Sequence, residues 1–146
     1  RQREIAPWRL VAAAPGLAAL DAAIRDRPRS ETEFPTAIGY ALGHGAVMLR
    51  RAPPCDRRVI DVSGDGRGND GFGPQAAYRA FDFAGVTVNG LAIAGAGEDV
   101  VAYYRTQVAH GPHAFVEVAA GFEDDARAMR RKLLREILGP GLVRAD

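Results

Sequence analysis

The chain is predicted to be an α/β protein with a doubly wound, Rossmann-like parallel sheet flanked by helices. Three observations carry that expectation. Residues 58–63, "GVTVNGLAI" and "HAFVEVA" are short apolar runs of strand character. Each is followed by a segment whose apolar residues recur at helical spacing. Connections of that length cross over between parallel strands, and such crossovers are right-handed.

Taken in order, residues 1–7 read as an arm leading to "PWRLV". In "APGLAALDAAIRDRP", Leu17, Leu20 and Ile24 fall on one helical face, and Pro28 stops the helix. The polar loop "RSETEFPT" precedes "AIGYALGHGAVMLRR", whose inner face is predicted to hold Ile38, Ala41, Leu42, Ala46 and Leu49. Gly43 and Gly45 weaken this helix by roughly 1 kcal/mol each relative to alanine. After the first strand and a glycine-rich loop, Pro74 suits the first turn of "PQAAYRAFDFA", with Ala77, Phe81 and Ala84 facing inward. "EDVVAYYRTQV" is a helix with acids in its first turn, and it divides Tyr103 and Tyr104 between core and rim. In the last helix Phe122, Ala126, Met129, Leu133 and Ile137 form the apolar stripe, between acids 123–125 and the bases Arg130, Arg131, Lys132 and Arg135. Trp8 is expected to plug the core, and His113 to open the third strand.

The 146 residues read as a single domain spanning 1–146, 47% hydrophobic and 25% charged, enough to bury a sizeable core. A formal net charge of +1 gives no global field for nucleic acid. Lys132 is the only lysine among many arginines, and the alanine and glycine content fits a GC-rich bacterial gene. The single cysteine, Cys55, excludes an internal disulfide and a cysteine-based zinc site. No apolar run is long enough to span a membrane. The strand "VIDVS" has no earlier strand to pair with, so an N-terminal fragment or another chain is expected to complete the sheet.

Function concentrates in "VIDVSGDGRGNDGFG", at the carboxyl end of a parallel strand, where open α/β sheets bind ligands. A P-loop needs a lysine after the glycines, and none follows. Gly66, Gly68 and Gly71 match a dinucleotide pattern, but Asp65 and Asp70 put negative charge where a pyrophosphate would sit. Binding of a hard cation, Mg²⁺ or Ca²⁺, fits oxygen donors better, with Asp65 at the strand end. Asp61, inside the strand, reads as a buried carboxylate held by its neighbours, and Asn69 and Asp70 as turn formers. His110 and His113 form an H-x-x-H with proline inside and no cysteine near, a poor zinc site. Ser63 lacks the G-x-S-x-G elbow of a hydrolase.

"RRVIDVSGDGRGNDG", "GVTVNGLAI", "AYYRTQVAHGPHAFVEVA", "RRKLLREI" and "FPTAIGYAL" together resemble a bacterial family of uncharacterised von Willebrand factor A-like proteins, from about Trp8 to Ile137. The resemblance implies a doubly wound sheet with a metal-ion-dependent adhesion site at its carboxyl edge. It assigns Asp65 the role of the third-loop aspartate and Thr36 that of the second-loop threonine, with Gly66, Asn69 and Ser63 shaping the rim and "AGAGED" adding contact surface. Gly64 stands where the family usually has threonine. The family's D-x-S-x-S loop is absent from these residues, so the resemblance implies the C-terminal part of such a domain.

A non-enzymatic protein-binding module is therefore expected, with a remnant or split metal site that binds Mg²⁺ weakly or not at all in this chain alone. Its partner would complete the metal coordination with a carboxylate. The alternatives are an Mg²⁺-dependent phosphohydrolase-like enzyme using Asp61 and Asp65, or a scaffold with a vestigial site. Export is implied by the resemblance alone, and the residues themselves name no compartment.

Overall fold

The computed structural model describes residues 4–28, 35–95 and 99–139. Its elements are α1 (Ala14–Arg25), α2 (Ile38–Leu49), β1 (Arg58–Gly64), α3 (Pro74–Ala80), β2 (Val86–Ile93), α4 (Val100–Tyr103), β3 (Val116–Ala119) and α5 (Asp125–Leu138). A π-helical turn, Tyr104–Val108, continues α4, and a 3₁₀ turn, Phe122–Asp124, leads into α5. The three strands form one parallel sheet in the order β1-β2-β3. The predicted α/β class is the observed one, with helices on both faces.

Strand periodicity sorts the side chains. Val86, Val88 and Ala92 of β2, with Ile60 and Val62 of β1, meet Leu42, Ala46 and Leu49 of α2, Ala77 of α3, and Val100, Tyr104 and Val108. On the other face Leu91, Ile93 and Ala119 pack on Ala128 of α5. Removing a Leu42 or Leu91 side chain from water contributes about 1.5–3 kcal/mol. The α2 glycines, costly for an isolated helix, are what allow its close approach. A Cβ on Gly43 would lie 2.7 Å from the Phe81 ring.

Several expectations are corrected by the packing. Ala41 is exposed, and Gly39 and Gly43 share the inner face of α2 instead. The helix α3 ends at Ala80 because Phe81 is extended, so Phe83 is buried and Ala84 exposed. His113 sits in a turn with φ 56° rather than opening β3. Trp8 is 48% exposed and donates its indole N–H to the Met48 carbonyl, so it lies on the surface. α1 forms where its spacing predicts, yet none of its residues is buried.

The largest correction concerns α5. Its inward residues are Ala128 and Lys132, with Met129 of the predicted stripe packed half-buried beside them, while Phe122, Ala126, Leu133 and Ile137 are exposed. Leu133 is 42% exposed and Ile137 70%, while Lys132 is wholly buried. Arg131 and Arg135 reach Glu117 and Phe115, on the β3 side. Lys132 reaches Asp61 on β1. At about 3.6 residues per turn, Leu133 and Ile137 therefore lie on the side of α5 turned away from β3.

β1 pairs with β2 alone among the described residues, so its other edge is unpaired. Its residues alternate between Ile60 and Val62, half-buried toward α2, and Val59, Asp61 and Ser63, exposed on the α5 side.

Candidate functional site

The loop after β1 begins at Asp65, at the carboxyl edge of the sheet. Thr36, just before α2, is laced to this loop in both directions. Its N–H donates to Asn69 Oδ1 at 2.8 Å, and its carbonyl accepts from the N–H groups of Asn69, at 2.8 Å, and Asp70, at 3.3 Å. Asn69 thus acts as a turn former whose side chain bonds outward. It brings Thr36 and the glycine loop into one surface, two segments 33 residues apart in the chain.

Beneath the loop lies the π-helical turn. The Tyr103 hydroxyl accepts from the Gly68 N–H at 3.3 Å, and the Arg67 guanidinium lies 5.7 Å above the Tyr103 ring. Tyr104 is buried, and burial first, then the Tyr103 and Asp65 charges, push its phenol up to about 12. A Cβ on Gly64 would sit 2.7 Å from the Tyr104 hydroxyl oxygen. Glycine at 64 therefore makes room for that hydroxyl, which takes the place a side chain on the loop would fill.

Asp65, Thr36 and Ser63 are exposed, and Gly66 has open space around it. No hydrogen bond or ion pair holds the Asp65 carboxylate among the described residues. No group of three or more His, Cys, Asp or Glu side chains suited to a metal occurs among them either. A hard cation takes about six or more oxygen ligands. One carboxylate and two hydroxyls are the right chemistry but do not make a self-sufficient Mg²⁺ or Ca²⁺ site. Of the "AGAGED" loop, residues 96–98 lie outside the described residues, as does "RSETEF" up to residue 34.

Asp61 is not part of this loop surface. Its side chain lies under α5 and forms an ion pair with Lys132, whose amine also reaches Glu136 Oε1 at 2.7 Å. Asn89 of β2 donates to the same Glu136 oxygen at 2.8 Å and accepts from the Phe115 N–H at 3.1 Å. Two carboxylates face one ammonium, an excess of one negative charge in a partly dry site. Desolvation first, then a hydrogen bond to Glu136, raises Asp61 from 3.8 to about 6 against the pull of Lys132. Burial works against an ionised Glu136 too, but hydrogen bonds from Asp61, Lys132 and Asn89 hold its pKa below the usual value. A cluster of this kind left no pattern in the sequence, because a lysine amid arginines at a helix end reads as solvated.

A raised carboxyl pKa means that the folded state binds the proton more tightly than the unfolded chain. The Asp61 contribution to stability is therefore present below 3.8 and lost as pH rises through about 6. Asp61→Asn is expected to gain in melting temperature relative to the parent as pH passes 6. A difference that stays constant between pH 4 and 8 would show that Asp61 does not titrate in this way.

The parallel sheet and its flanking helices define an α/β protein of the Rossmann-like kind, and the loop surface lies at the carboxyl edge, where open sheets of this class commonly bind ligands. Within that class, the chain belongs to the family described as protein of unknown function DUF1194, whose family model matches residues 1–141. No curated protein and no solved structure matches the chain. No helix among the described residues is long and apolar enough to cross a membrane.

Proposed function

We propose that the chain is a non-enzymatic protein-binding module whose contact surface is the 64–73 loop together with Thr36. The observation that carries this reading is the lacing of Thr36 to Asn69 and Asp70, beside the exposed Asp65, whose carboxylate has no hydrogen bond or ion pair among the described residues. An exposed carboxylate on a loop laced to a second segment is preorganised for an external partner. The von Willebrand A resemblance supports the same surface, with Asp65 and Thr36 as its donors and Gly66, Asn69 and Ser63 at its rim. Mg²⁺ or Ca²⁺, if bound, would supply a positive charge able to accept a partner's carboxylate. Its remaining ligands would have to come from outside the described residues, so the metal site is a remnant or one half of a split site. The unpaired β1 edge supports a further strand, from an N-terminal fragment or another chain, that completes the sheet.

The phosphohydrolase alternative loses support because it needs Asp61 and Asp65 together, and Asp61 is engaged by Lys132 under α5. Titration calorimetry is expected to show no micromolar Mg²⁺ binding to residues 1–146. Asp65→Ala is expected to abolish partner capture in pull-downs from the source cell while leaving the melting curve unchanged. Capture by Asp65→Ala at parental yield would remove this loop from the binding surface.

A further inference from the structure

An open cleft of about 260 Å³ lies at the amino ends of β1 and β2, between the segment leading into β3 and the last turns of α5. The full length of β1, roughly 20 Å, separates it from the Asp65 loop. Three guanidiniums line this cleft, and each is held by a neutral partner. Arg57 donates to the carbonyls of Glu136 and Ile137, at 3.0 and 3.5 Å. Arg58 donates to the Ala84 carbonyl at 2.6 Å, and Arg135 lies 3.9 Å above the Phe115 ring. Among the described residues no carboxylate forms an ion pair with any of the three. The neighbouring arginines of α5 differ, since Arg127 bonds Asp124 at 2.6 Å and Arg131 bonds Glu117 at 2.7 Å. Two carboxylates, Asp56 and Glu136, also line the cleft, and Glu136 is already engaged by Lys132. The arginines therefore leave one positive charge in excess, with fixed N–H groups to spare. Val59, Pro112 and Phe115 add an apolar wall.

We infer that this cleft binds a small, free organic monocarboxylate, its oxygens taken by the guanidiniums and its apolar body set against Val59, Pro112 and Phe115. A single negative charge matches the excess, and a planar carboxylate matches the fork of N–H donors on a guanidinium. A phosphate monoester would bring a second negative charge towards Asp56 and Glu136. The volume falls just below the range of about 300–1,000 Å³ usual for ligand sites, which suits a whole small molecule. Arg57 and Arg58 stand at the start of β1 and Arg135 on α5, so the ligand joins strand to helix. Its binding is expected to raise the melting temperature.

The test is calorimetric titration of the full chain, at constant ionic strength, with benzoate, its neutral analogue benzamide, and phenyl phosphate. Benzoate is expected to bind at least roughly tenfold tighter than benzamide, the scale of one hydrogen bond to a charged group, and tighter than phenyl phosphate. Arg58→Gln and Arg135→Gln, their folds checked by melting, are each expected to weaken benzoate binding about tenfold. Asp56→Asn removes an opposing charge and is expected to tighten it, a gain that damage to the fold would not produce. Equal binding of benzoate and benzamide would overturn the anion assignment. A preference for phenyl phosphate would overturn the carboxylate. Parental benzoate affinity in both arginine variants would put the binding elsewhere and overturn the site, as would no benzoate binding at millimolar concentrations.

Discussion

Lys132→Met is expected to destabilise the protein by about 3–5 kcal/mol, because removing one partner of a buried ion pair strands the rest. Here two carboxylates, Asp61 and Glu136, would be left under α5 without the ammonium that both face. The loss should be read by urea denaturation at pH 8 and should shrink on acidification, as Asp61 takes up its proton. The triple variant Lys132→Met, Asp61→Asn, Glu136→Gln is expected to recover most of the stability, since neutral groups of similar shape need no counter-charge. A single-variant loss below about 1 kcal/mol would mean that the cluster is solvated rather than buried.

Gly64→Ala is the second large effect. The added Cβ would meet the Tyr104 hydroxyl oxygen at 2.7 Å, where the ring is held in the core and cannot retreat. Overpacking of this kind costs about 1–3 kcal/mol. Tyr104→Phe removes the clashing oxygen, so the double variant is expected to be more stable than Gly64→Ala alone. Additive losses in that double-mutant cycle would show that the two groups do not touch.

The sequence and the fold agree where one signal dominates and part where two compete. Runs such as "GVTVNGLAI" are largely apolar on both faces, so β2 is buried at every residue but the half-buried Thr87 and was legible. Pro15 and Pro74 sit in the first turns of α1 and α3, as their missing N–H groups allow. The phase of α5 was not legible. Its apolar stripe marks the face that should be buried, but the described sheet has only three strands and α5 docks on it through Ala128 and Lys132. Leu133 and Ile137 of that stripe stay exposed on the described three-strand sheet. In the candidate site, Asp65 and Thr36 could be placed from their positions at a strand end and before a helix. The two-way bonding of Thr36 to Asn69 could not, because hydrogen bonds across 33 residues leave no trace in local pattern. Nor could the fit of Tyr104 against Gly64, a contact across 40 residues of chain.

The burial of Lys132 also has a chemical consequence. The protein contains one lysine, so it has a single side-chain primary amine, and that amine is shielded beneath α5. Its arginines keep the surface cationic without offering a nucleophile at neutral pH. Acylating reagents can reach the ε-amine only when α5 lifts from the sheet, so modification at Lys132 scales with the population of that opened state. The residue that holds the helix down is also the one group that records when it comes up.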